Sequence, residues 1–173
     1  MEAVKNGDLQ QSSLLFERYH KPIFNFIARM TMDRELAEDL TQNVFIRMIQ
    51  YSSSYHEGHK FKSWIYQIAR NVFIDHFRSQ KNKRPVMMDV EKVRDTLPDT
   101  QEEVIQLERE KLLQRSMDML TEEQRELLVL TRFQRMKYEE VALIMNTTVA
   151  NIKVKVHRAI LKLKDHYFEL EKS

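Results

Sequence analysis

A chain of 173 residues can form one domain or two small ones, and its 42% apolar content is ordinary for a folded protein. Two glycines and three prolines disfavour β-hairpins and glycine-rich phosphate loops and favour long helices with short joints, while the absence of cysteine excludes disulfides and thiolate metal sites. The net charge of +2 hides an uneven spread: residues 1–84 carry 13 basic and 9 acidic residues, 85–110 carry 3 and 8, and 111–173 carry 12 and 9. An acidic connector thus separates two mildly basic blocks.

Residues 9–30 show helical apolar spacing through Leu15, Tyr19, Ile23, Phe26, Ile27 and Met30, and Pro22 predicts a kink or the start of a second helix. Residues 33–50 form a second amphipathic helix, with Leu36, Leu40, Val44, Ile46 and Met48 on its apolar side. Its first turns hold Asp33, Glu35, Glu38 and Asp39, where carboxylates suit the helix dipole; Gln42, Asn43 and Arg47 fall on or near the solvent side. A polar loop, YSSSYHEGHK, covers 51–60.

The next helix, over 61–84, has two unlike faces. Phe61, Ile65, Ile68, Ala69, Val72, Phe73 and Phe77 share an apolar arc, Trp64 lies at its seam, and Gln67, Asn71, Asp75 and Arg78 line the back. Its end is basic, through Lys81, Lys83 and Arg84, a combination that points to a helix holding nucleic acid. Residues 85–100 lack a sustained period and contain two prolines, which predicts an acidic linker.

Helical spacing resumes near Gln101. Thr121 and Gln124 form a capping box for a helix expected to reach Met136. Residues 137–164 then read as helix-turn-helix: Tyr138, Val141, Ala142 and Met145 stripe the first helix, Asn146 suits a left-handed turn, and Thr148 suits an N-cap. On the second helix Ile152, Val156, Ala159 and Leu163 face inward, while Ala150, Asn151, Val154, His157, Arg158 and Leu161 form the opposite face, flanked by Lys153, Lys155, Lys162 and Lys164. Small and amide side chains can approach base edges, and basic flanks neutralise phosphates. Val154 in the middle of an exposed face fits a thymine methyl; a helical hairpin with a solvated basic face is the plain alternative.

Taken together, GDLQQSSLLFERYHKPIFNFIARM with DRELAEDLTQNVFIRM, then FKSWIYQIARNVFIDHFR, then LTEEQRELLVLTRFQRMKYEEVALIMNTTVANIKVKVHRAILKLK resemble the sigma-70 family of bacterial RNA polymerase sigma factors, in its small extracytoplasmic-function (ECF) group. The resemblance covers nearly the whole chain in order. It departs at Asn43 and Asn146, which matter little, and at Val154, Lys155 and Ile160, which lie on or beside the reading face, so no promoter sequence is carried over. It implies an all-α fold of two small helical domains joined by a flexible linker: 1–84 as region two, 85–100 as linker and 101–173 as region four. It also implies a transcription initiation factor whose partners are core RNA polymerase (its β′ clamp helices and β flap), promoter DNA and an anti-sigma factor. By that resemblance Asp39, Leu40, Gln42, Asn43 and Ile46 dock on polymerase, with Leu40 equally readable as core. Tyr55, Lys60, Lys62, Trp64, Asn71, Asp75 and Arg78 act at the −10 element, where Trp64 is equally readable as core. Thr148, Ala150, Asn151, Lys153, Val154, Lys155, His157 and Arg158 act at the −35 element.

A conventional helix-turn-helix regulator with a helical N-terminal domain is the alternative; it leaves the polar back of 61–84 without a purpose. No P-loop, GxSxG or HExxH occurs, and His56 and His59 share a loop without further ligands. No enzyme activity, cofactor or metal is therefore expected. Without an apolar run of about 18 residues or a signal pattern at the N-terminus, no membrane insertion is expected and the chain reads as cytoplasmic.

Overall fold

The computed structural model describes residues 9–56, 58, 60–80 and 101–172. Helix α1, Leu9–Thr31, is continuous through Pro22, so no second helix starts there. Burial explains the continuity. A proline in a helix interior costs about 3 kcal/mol, but the turns after it bury Ile23, Phe26, Ile27 and Met30, and each such side chain contributes about 1.5–3 kcal/mol. The helix ends at Met32, whose left-handed φ of 61° turns the chain while its N–H donates to the Ala28 carbonyl.

Asp33 then accepts from the Leu36 N–H at 3.0 Å and caps α2, Arg34–Gln50. Inward-facing Ala37, Leu40, Val44, Phe45 and Met48 pack this helix into the bundle. Ile46, expected on the apolar side, is instead 54% exposed. Two residues from both Val44 and Met48, it sits about 200° around the wheel from either. A short 3₁₀ turn, Ser52–Ser54, leads toward α3, Phe61–Gln80, which completes the first bundle with Ile65, Tyr66, Ala69, Val72 and Phe73.

The second half begins with α4, Gln101–Asp118. Thr121 caps α5, Glu122–Leu128, through the reciprocal box with Gln124. The α-helix expected to run to Met136 stops at Leu128 and widens into a π-helical segment, Val129–Phe133. Within it the Thr131 hydroxyl donates to the Leu127 carbonyl at 2.6 Å, and the Gln134 N–H reaches back to the Val129 carbonyl. Next come α6, Tyr138–Ile144, and α7, Val149–Glu171. Asn146 takes the expected left-handed conformation, with φ of 51°, and Thr147 N–H returns to Ala142 O. Thr148 accepts from the Asn151 N–H and caps α7, which runs on past Lys164 to Glu171 and packs on α4, α5 and α6.

The fold among the described residues is all-α, as expected. The expected linker, 85–100, lies outside the described residues. The two halves touch directly: α3 packs on α6, and α1 packs on α5 and the π segment.

Candidate nucleic-acid interface

Two surfaces carry the side chains expected to meet DNA. On α7, Ala150, Lys153, Val154, His157 and Arg158 are exposed, as is Thr148 at its cap. Val154 is 49% exposed, an aliphatic side chain among polar ones. Asn151 is partly held: its amide donates to the Thr147 hydroxyl at 2.8 Å. Lys155 is paired with Glu123 of α5 and so is not free to neutralise a phosphate in this arrangement.

The second surface lies along α3. Asn71 and Arg78 are exposed, and Asp75 is half exposed and in ion-pair contact with Arg47 of α2 at 2.6 Å. Lys60 is exposed. Trp64 is half-buried in an aromatic cluster, with Tyr55 and Phe61 rings at 5.2 Å and 5.8 Å between centroids. Tyr55 and Trp64 thus stand together at the start of α3. Lys62 points away from them, to Glu140 of α6 at 3.8 Å.

That last contact belongs to a polar seam between the halves. Tyr66 donates to Gln134 at 2.8 Å, and burial pushes its phenol pKa far up, so the donor proton stays in place. Gln134 in turn donates to the Pro22 carbonyl, and Gln67 donates to the Leu143 carbonyl at 2.8 Å. The Arg29 guanidinium lies 4.0 Å from the centre of the Phe133 ring. Arg125 donates to the carbonyls of Met30, Met117 and Asp118, meeting the C-terminal ends of α1 and α4. The π segment earns its place here, since it delivers Phe133 and Gln134 to α1 and α3.

Arg70 Nε lies 2.8 Å from Glu126 Oε1, off the hydrogen-bonding axis but in charge contact. Burial holds the Glu126 carboxyl above the usual value of 4.5; Arg70 opposes that effect without cancelling it. The folded chain therefore keeps this proton to higher pH than the unfolded chain does. The group's contribution is full below 4.5 and is lost as pH rises through the raised value. Denaturant titrations across this window will give a shallower fall of stability with pH for Glu126→Gln than for the unsubstituted protein. Parallel slopes would contradict this.

Comparison with known proteins places this geometry. Residues 15–83 match Sigma-70 region 2, and residues 110–163 match Sigma-70, region 4. The ECF RNA polymerase sigma factor SigM of Bacillus subtilis is 34% identical over 154 residues, covering 88% of this chain and 93% of SigM. This chain belongs to the ECF group of sigma-70 family sigma factors. The SigX sigma factor of the same organism is 31% identical over 160 residues, covering 88% of this chain and 81% of SigX. In fold, the sigma factor RpoE solved with the anti-sigma factor NepR from Bartonella quintana superposes with a TM-score of 0.71, at 21% identity, over 91% of this chain and 97% of RpoE. CnrH, solved with the cytosolic domain of CnrY, gives 0.71 at 17% identity over 95% and 92%.

As an ECF sigma factor the protein is a transcription initiation factor, which joins core RNA polymerase and directs it to promoters. The conventional regulator is not favoured. On α2, Asp39, Gln42 and Ile46 are exposed and Asn43 is partly so, whereas Leu40 is 5% exposed inside the bundle. Helical periodicity does not assign roles to Arg47, Arg70, Arg125, Glu126 or Gln134. A signal existed for two of them. Glu126 precedes Val129, Leu130 and Phe133 at i+3, i+4 and i+7, and Arg70 likewise precedes Phe73, Ile74 and Phe77, so each is a charge on an apolar stripe. Among the described residues no group of metal-ligating side chains gathers, and no helix is long and apolar enough to cross a membrane.

Proposed function

We propose a division of labour within this sigma factor. The exposed face of α2 (Asp39, Gln42, Asn43 and Ile46) docks on the polymerase β′ clamp helices, and the second half meets the β flap. Loop 51–60 and the Asn71 side of α3 hold the opened −10 strand, where Tyr55 and Trp64 offer aromatic surface to an unstacked base. The α7 face reads the −35 duplex through Ala150, Asn151, Val154 and Arg158, with Lys153 and His157 on phosphates and Lys155 joining them by exchanging its exposed Glu123 contact for a phosphate oxygen. The protein acts in the cytoplasm and performs no catalysis of its own. An anti-sigma factor is its regulatory partner, in keeping with the fold neighbour RpoE, solved in complex with the anti-sigma factor NepR.

One observation carries this reading: two distinct faces suited to nucleic acid sit on one chain, and the two halves are fastened to each other. Elements 25 base pairs apart are separated by about 85 Å of duplex at about 3.4 Å per pair. A packed chain of this size is only about 40 Å across, from a radius of gyration of about 15 Å. Simultaneous reading therefore requires the halves to separate. The seam suits that demand, because its ions and amides regain water on opening.

Run-off transcription with bacterial core polymerase and a genomic promoter library tests the function. Discrete transcripts that require the protein support it, and silence with an active core overturns it. In the same assay Asn71→Ala should lower −10 use about 10- to 100-fold, the worth of one good base contact, with core affinity unchanged. Loss of core affinity instead would make Asn71 a structural residue.

A further inference from the structure

Arg47 is among the residues assigned to neither DNA face, yet it borders the α3 face directly. It lies near the end of α2, and its Nη1 reaches across to Asp75 Oδ2 of α3 at 2.6 Å. The pair borders a cleft of about 320 Å³ lined also by Tyr51, Ile68 and Asn71. The Arg47 side chain is 26% exposed and that of Asp75 50%, so the pair is open to a ligand on one side.

The charges explain why Asp75 needs a partner. A carboxylate can only accept hydrogen bonds, and close to a phosphate backbone it repels the strand. A guanidinium on the far side neutralises it and fixes its plane while leaving Oδ1 available. Oδ1 would then accept an amino or ring N–H from a base, beside the Asn71 amide, which can both donate and accept. Tyr51 adds a ring at the same cleft, and stacking on such a ring is tolerant of base identity. Base choice would therefore rest on the polar groups.

The geometry points to Arg47 as a positioning residue for −10 recognition: through the Arg47–Asp75 contact it neutralises and orients the carboxylate that discriminates one unstacked base of the opened strand. This rests on the assignment of the α3 face to the −10 element. The contact also ties that face to α2, where Asn43 and Ile46 are one turn and one residue from Arg47. The reading carboxylate is thereby held by the helix that docks on polymerase.

The test uses holoenzyme assembled on core polymerase and a randomised single-stranded DNA library, with affinity and base preference read position by position. Arg47→Ala should leave core affinity unchanged, weaken strand binding at least about 10-fold and flatten preference at a single position. Asp75→Asn should flatten the same position. The double variant should recover most strand affinity, because no bare carboxylate remains, but not the preference. Arg47→Lys should restore affinity more than preference, since it supplies charge without the planar fork. The proposal is overturned if Arg47→Ala weakens core binding, leaves strand binding intact, or alters a different position from Asp75→Asn. It is also overturned if the double variant is as weak as the sum of the single losses, which would mark Arg47 as a direct phosphate contact. Failure of the unsubstituted holoenzyme to select any sequence would instead remove the −10 assignment beneath it.

Discussion

Bridging Gln67→Cys to Leu143→Cys with a short bis-maleimide should reduce promoter-directed transcription to less than about 1% of that of the unbridged double variant, because a covalent bridge removes the open state from the equilibrium. The two positions are in contact across the seam, where the Gln67 side-chain amide donates to the Leu143 main-chain carbonyl at 2.8 Å. The experiment is clean because the natural chain has no cysteine. Asp39, Gln42 and Ile46 stay exposed while the halves are together, so the bridged protein should still bind core polymerase through α2. Binding without transcription is thus the expected signature. Full transcription from the bridged protein would mean that the two elements can be read without separation of the halves.

A second large effect is expected at Arg125. Replacing it by alanine should lower the unfolding free energy by about 2–3 kcal/mol, the cost of leaving partly buried carbonyls without a charged donor. Its guanidinium serves Met117 O at 3.2 Å, Asp118 O at 3.0 Å and Met30 O at 3.3 Å. Those carbonyls belong to the C-terminal turns of two helices from different halves, so their dipoles both point negative charge at one side chain. Burial lowers the Arg125 pKa from its usual value, opposed by Asp118 and Glu122, yet the group remains a cation at any ordinary pH. Arg125→Lys should regain only part of the loss, because a single ammonium cannot span three acceptors. Urea denaturation monitored by circular dichroism measures both variants. An unchanged midpoint for Arg125→Ala would mean that water replaces the guanidinium at no cost.

The parts of this structure legible in the sequence are those set by neighbours a few residues apart. The Thr121–Gln124 box, the left-handed Asn146 and the Thr148 cap all depend on local geometry, and all three form as their residue types dictate. Pro22 is the counter-example. Its local rule favours a break, but the packing of Ile23, Phe26 and Ile27 overrides it. The π segment was equally hidden, since Val129–Phe133 has an unbroken helical pattern and only the demands of the facing α1 and α3 give the wider turn a purpose.

The candidate site divides along the same line. The α7 face was readable because one helix carries it whole. The α3 face was only half readable: Asn71 and Arg78 lie where the wheel puts them, but nothing near Asp75 in sequence names Arg47 as its partner. The seam is less readable still. Tyr66 finds Gln134 at a separation of 68 residues and Gln67 finds Leu143 at 76, distances over which periodicity carries no information. Lys62 shows the consequence. The family resemblance puts it at the −10 element, while in the closed arrangement it faces Glu140.

The distance between the two reading faces distinguishes a chain that stays closed on the promoter from one whose halves part. Spin labels or fluorophores on Ser53→Cys and Lys164→Cys, both exposed positions, report it in the free protein and in the promoter complex with core polymerase. The free protein should give a distance under about 45 Å, set by the size of a packed chain. The promoter complex should give one above about 60 Å, as the spacing of the two elements along duplex DNA demands. An unchanged short distance in a complex that transcribes would mean that both elements are read with the halves still packed together.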